Sequence, residues 1–155
     1  MRYLPIIVVV AICLVACKKD KFTTAPQISF KSVKPNTIYS NLPNSGQNAP
    51  VITLSVTDAE GDISFVDGKD SAWIYVKNLV ANTRDSFKFP DLTGVTKKNF
   101  KFDVDIPLIS NSLIKGSARP RPKTDTLYFE IYITDIAKNK SNVITTTDPV
   151  YFVVP

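Results

Sequence analysis

From residue 26 onward the chain alternates apolar and polar positions in short runs, broken by Pro, Gly, Asn and Asp. Ile52, Leu54 and Val56 share one parity of residues 51–57, while Thr53, Ser55 and Thr57 take the other. Phe100, Phe102, Val104 and Ile106 alternate with Lys101, Asp103 and Asp105, and Leu127, Phe129, Ile131 and Ile133 with Tyr128, Glu130, Tyr132 and Thr134. Successive side chains of a strand point to opposite faces, so a period of two predicts strands with one face in a core and one in water. Less regular runs at 27–33, 63–66, 72–80, 85–89, 142–145 and 150–154 predict further strands. No segment after residue 26 keeps a 3.6-residue period over three turns, so helices are not expected there.

About seven to nine short strands with turn signals between them predict an all-β fold, a single antiparallel sandwich of the immunoglobulin type over residues 26–155. The missing Cys…Trp…Cys spacing argues against a true antibody-like domain. The expected core is Ile52, Leu54, Val56, Phe100, Phe102, Val104, Leu127, Phe129, Ile131 and Ile133. Two connections look long. Residues 36–50 are rich in turn formers, and 107–123 carry Arg119, Arg121 and Lys123 among prolines that cannot sit in a central strand. Those three cations are expected in a solvated loop, or in contact with an acidic polysaccharide or lipid headgroups.

The first residues break the pattern. Arg2 precedes an apolar run over 6–16, and Lys18, Lys19, Asp20 and Lys21 follow Cys17. That run is shorter than the about 20 residues a membrane-spanning helix needs, and it has the length of a secretory h-region. Leu14, Val15, Ala16 and Cys17 resemble the lipobox of bacterial lipoproteins. The resemblance implies that a signal helix over 1–16 is removed and that Cys17 becomes a diacylglycerylated first residue, its amino group acylated with a chain such as palmitate. Residues 17–25 then read as a charged, Thr-rich tether.

Composition narrows the chemistry. The chain has 155 residues, 19 Lys and Arg, 14 Asp and Glu, no histidine, and a formal net charge of +5. Scattered basic residues and an export signal both argue against nucleic acid. Without histidine there is no Ser-His-Asp or Cys-His chemistry and no imidazole-ligated zinc. The two cysteines, Cys13 and Cys17, fall in the signal and at the lipid site, so no disulfide is expected. Chance carboxylate pairs do not make a glycosidase of so small a sandwich. No enzyme is expected.

Residues 56–63 and 133–142 each end a strand in an Asp-led turn, and both resemble inter-strand turns of bacterial immunoglobulin-like and cadherin-like domains. Lys138 stands where the second pattern usually has glycine. Asp58, Glu60 and Asp62 form a dense carboxylate cluster, and Asp135 joins it only if its turn lies at the same end of the sandwich. Calcium takes six to eight oxygens, and the twelve-residue EF-hand spacing is missing. The expectation is therefore no metal and no cofactor: Asp58 and Asp135 bond their own turn backbones, while Glu60 and Asp62 stay in water. Ca²⁺ at this cluster is the alternative.

Trp73 and Tyr75 share one parity of their strand, and Tyr128 and Tyr132 share the outward parity of theirs. Outward aromatics can stack on sugar rings or bury into a partner. With lipobox, tether and sandwich together, the chain resembles small exported lipoproteins of Bacteroidota. The resemblance implies a non-catalytic module anchored in the bacterial outer membrane, surface-exposed rather than periplasmic, that binds a protein or glycan. The alternative is a structural or accessory subunit of an outer-membrane assembly. An aromatic patch on one sheet face favours the first, and a flat apolar face the second.

Overall fold

The structure, a computed structural model, describes residues 21–64, 70–92, 94 and 98–155. The expected signal and the lipobox with Cys17 lie outside the described residues. Ten strands follow in chain order: β1 (Gln27–Lys34), β2 (Thr37–Tyr39), β3 (Val51–Asp58), β4 (Trp73–Asn78), β5 (Thr83–Lys88), β6 (Phe100–Pro107), β7 (Lys123–Leu127), β8 (Phe129–Thr134), β9 (Ile144–Thr145) and β10 (Val150–Val154).

β3 lies between β1 and β6 and forms one layer with them. The other layer is built from two ladders, β5–β4–β8–β9 and β2–β10–β7. Tyr128 alone separates β7 from β8, and Thr146 bridges the break. Its N–H donates to the Phe129 carbonyl at 2.9 Å, and its hydroxyl accepts from the Phe129 N–H at 3.2 Å. The β7–β10 ladder therefore continues the β8–β9 ladder. All pairings are antiparallel except β2 with β10. This is an immunoglobulin-like β-sandwich, as the alternation predicts.

The two layers close over one apolar cluster in which Ile52, Leu54, Val56, Val104, Leu127, Phe129, Ile131 and Ile133 are all buried, as expected from parity. Phe100 and Phe102 are only half-buried. They open β6, an edge strand, and lie opposite Asp58 and Val56 at one end of the sandwich. Cover is incomplete there, so the rings stack on each other at 4.8 Å, and Phe102 meets the wholly buried Phe89 edge-on at 5.9 Å.

Other expectations shift. The run at 63–66 is not a strand at Ile63 and Ser64, which are buried in a loop, and residues 65 and 66 lie outside the described residues. The run at 142–145 shortens to β9. The 36–50 connection contains β2, whose three residues are too few to show alternation. Residues 107–123 are not simply solvated: Leu108 and Leu113 are wholly buried, and Lys123 opens β7. Asn78 fastens this segment from the inward face of β4. Its side-chain nitrogen donates to the carbonyls of Leu113 (2.7 Å) and Lys115 (2.9 Å), and its oxygen accepts from the N–H groups of Val80 and Ala81.

Both flanks of the Asp58 end are tied down. The N–H groups of Lys21 and Phe22 donate to Asn99 Oδ1 at 2.7 and 3.2 Å, and Ala59 donates to the Thr23 carbonyl at 3.2 Å. The expected tether is thus bonded to the sandwich from Lys21 onward. Asn142, from the other layer, accepts from the Ile28 N–H at 2.8 Å and donates to its carbonyl at 2.9 Å, replacing the strand that edge strand β1 lacks.

Candidate functional site

Pairing resolves the parity of β4, whose two faces are both apolar in sequence. Ile74, Val76 and Asn78 point inward, so Trp73, Tyr75 and Lys77 point out. Tyr75 is registered with Tyr132 of β8, and the rings stack at 4.6 Å with planes 13° apart. Lys140 Nζ sits 4.0 Å from the Tyr132 centroid, so that ring lies between a second ring and a cation. Trp73 is registered with Lys88 of β5, whose Nζ lies 5.9 Å from the indole. Tyr75, Lys77, Arg84, Glu130, Tyr132 and Lys140 line a groove of about 270 Å³ on this face. Enclosed small-molecule pockets run to about 300–1,000 Å³, so this is an open platform. Tyr128 has the same parity but lies at the β7–β8 break and does not line the groove.

Inward parity carries two strands from core into charge. On β3 it runs Ile52, Leu54, Val56, Asp58. On β8 it runs Phe129, Ile131, Ile133 and continues to Asp135 just past the strand. Asp58 and Asp135 are both 0% exposed. Their strands belong to different layers but end together, and Gly61, at φ 72° where a side chain would be strained, turns the loop so that Asp62 joins them. One oxygen from each carboxylate lies within 4.8 Å of the others.

Asp58 Oδ2 accepts from the Gly61 N–H at 2.5 Å, and Asp135 accepts from the backbone and side chain of Asn139 at 2.7 and 2.9 Å. The expected turn bonds are present. Asp62 differs from expectation. It is half-buried, and its Oδ2 reaches across to the Ala137 N–H at 3.3 Å. Glu60 alone of the four stays exposed, outside the cluster. Asp58 Oδ1 and Asp62 Oδ1 are buried and accept no hydrogen bond. Among the described residues no Lys or Arg pairs with any of the three. Burial pushes the Asp58 carboxyl up to about 6; the Gly61 bond opposes this and the charge of Asp62 adds to it. Burial, then the charge of Asp135, raises Asp62 as well.

Lys123, expected to face solvent or an acidic partner, turns inward instead, while Arg119 stays exposed as expected and reaches in only with its guanidinium tip. Asp125, on β7 at the parity of Leu127 and Phe129, is 2% exposed. Arg119 Nη2 lies 2.7 Å and Lys123 Nζ 3.0 Å from its oxygens, and Ser117 donates through both N–H (3.0 Å) and hydroxyl (2.7 Å). Burial pushes this carboxyl up, but the bonds from Arg119, Ser117 and Lys123 outweigh it and hold Asp125 well below the usual carboxylate range. Arg121 stays exposed. The inward parity of Asp125 was the sequence signal for this cradle.

No family model matches the chain, and no curated protein matches it. Among solved structures, a Niemann-Pick type C2 protein from Japanese carpenter ant is similar over 88% of this chain and 98% of its own, at 7% sequence identity and a TM-score of 0.41.

Proposed function

We propose that this protein is a non-catalytic binding module of the bacterial envelope, anchored by lipid at Cys17 and contacting an acidic glycan through the outer face of β5–β4–β8. The stacked Tyr75–Tyr132 pair carries this reading. Two large rings held outward on a rigid sheet offer apolar area at little entropic cost. Lys77, Arg84 and Lys140 line the groove around them against Glu130 and Asp85, and Lys88 stands further along beside Trp73, so cations outnumber carboxylates and the surface favours a ligand carrying carboxylate or sulfate groups. The open groove suits a polymer lying across the sheet. The lipobox supports the anchor, and the charged residues after Cys17 support surface exposure on the outer membrane over the periplasmic face.

Binding to immobilised acidic polysaccharides tests the reading. Wild type is expected to bind with a salt-dependent affinity, and Tyr75→Ala with Tyr132→Ala to lose at least about tenfold. No binding to any acidic glycan, with capture of a protein partner through the same face, would redirect the function to protein recognition. Cys17→Ser is expected to release the chain from membranes, since a stable anchor takes more than one acyl chain.

A further inference from the structure

We propose that Asp58, Asp62 and Asp135 together bind one divalent cation of the calcium type, which fastens the two layers of the sandwich at the end where residues 21–23 dock. This stands apart from the sheet face and does not depend on what binds there.

Turn formation does not account for the geometry. Asp58 spends Oδ2 on the Gly61 N–H, and Asp62 spends Oδ2 on Ala137. Each keeps a second oxygen that is buried and accepts nothing. A buried acceptor without a donor is costly, and more so when charged. Two such oxygens, in a cluster of three carboxylates that no Lys or Arg pairs among the described residues, ask for a positive ligand. Asp58 makes the argument specific. It is 0% exposed at a position whose same-face strand neighbours Val56 and Leu54 are apolar, so bulk solvent does not reach the missing partner's place.

The spacing allows a cation and the donor set points to its kind. Calcium–oxygen bonds of about 2.3–2.6 Å place any two ligands of one ion no more than about 5 Å apart, and the three oxygens lie within 4.8 Å of one another. Magnesium demands a near-ideal octahedron and gives up its waters reluctantly, which suits a cage of several carboxylates less well. The all-oxygen donor set also suits a hard cation rather than zinc or copper. Three carboxylates from two strands and a loop leave room for backbone oxygen or water to complete the shell.

The test is calcium titration of the purified full chain after chelator treatment, read by calorimetry and by thermal melting. One ion per chain is expected, with an affinity near the about 10⁻⁴–10⁻³ M of extracellular calcium modules. At a hundredfold excess over Kd the melting temperature is expected to rise by about 5 °C or more. Asp62→Asn, in the loop, is expected to weaken binding at least tenfold, while Glu60→Gln leaves it unchanged. Magnesium is expected to bind more weakly. Wild type showing neither heat nor a melting shift at 10 mM calcium would overturn the proposal, and so would a shift that persists in Asp62→Asn. Magnesium binding as tightly as calcium would overturn the choice of ion. The wild-type titration decides even if Asp58→Asn fails to fold.

Discussion

β7 and β8, separated by Tyr128 alone, share one buried face with an aspartate towards each end, Asp125 at one and Asp135, just past β8, at the other, with Leu127, Phe129, Ile131 and Ile133 between. The two ends meet opposite surroundings. Asp125 is met by a guanidinium, an ammonium, a hydroxyl and a backbone N–H, all brought by one folded-over loop. Asp135 accepts from the backbone and side chain of Asn139, but the charged groups it meets are Asp58 and Asp62, not cations. Burial alone therefore says little about a carboxylate. What faces it decides whether it is a completed structural joint or a site still able to take a ligand.

The sharpest way to break the contrast is to remove the carboxylate that has partners. Asp125→Ala would strand Lys123, whose side chain is 11% exposed, and should cost about 3–5 kcal/mol in urea unfolding. A loss under about 1 kcal/mol would mean that the cradle contributes nothing. Next comes Gly116→Ala. A Cβ there would run into the Asp125 carboxylate and press on the Phe152 ring, so the loop would have to lift off, at about 1–3 kcal/mol by the same measurement.

Acid titration should separate the two ends by sign. Asp125 has a folded pKa below its unfolded value, so its contribution is present above the unfolded pKa of about 3.9 and is lost as pH falls below it. Asp58 has a folded pKa raised to about 6 from 3.8, which is a cost present above pH 6 and relieved as pH falls through that window. In chelator, stability should therefore rise from pH 7 toward 4.5 and fall below about 3.5, as read by melting temperature against pH. A monotonic fall from pH 7 would contradict the assignment of Asp58. The smallest effect is expected at Lys138, which sits at φ 70° in the turn after Asp135. Lys138→Gly relieves a left-handed backbone at the cost of unfolded-state freedom and should stabilise by less than about 1 kcal/mol.

Period-two alternation made the sandwich and most of its core legible, because burial on one face is what selects that pattern. It misled at Phe100 and Phe102, where parity was right but the end of an edge strand leaves the inward face part-covered. It also stopped too early. Carried one step past the last apolar residue, the same alternation places Asp58 and Asp135 inside, beyond the turn bonds expected of them. Convergence of their ends depends on pairing between distant segments, which no local pattern encodes. Lys138 is the counter-case: the turn pattern that usually has glycine there matched a positive φ, so the local signal described the backbone although the residue differs. The Tyr75–Tyr132 pair was legible as outward residues on each strand separately, but the register that stacks them was not.

Under the proposed anchoring at Cys17, the clamp of Asn142 on Ile28 has a mechanical meaning. Tension on the N-terminus would first strip residues 21–23 from Asn99 and Ala59 and then reach β1, which as an edge strand is the element most easily peeled from its neighbour. Asn142 grips both backbone groups of Ile28 near the very start of that strand. A pull must then strain both layers at once before β1 can unzip from β3, so force from the anchor is shared across the sandwich where it arrives.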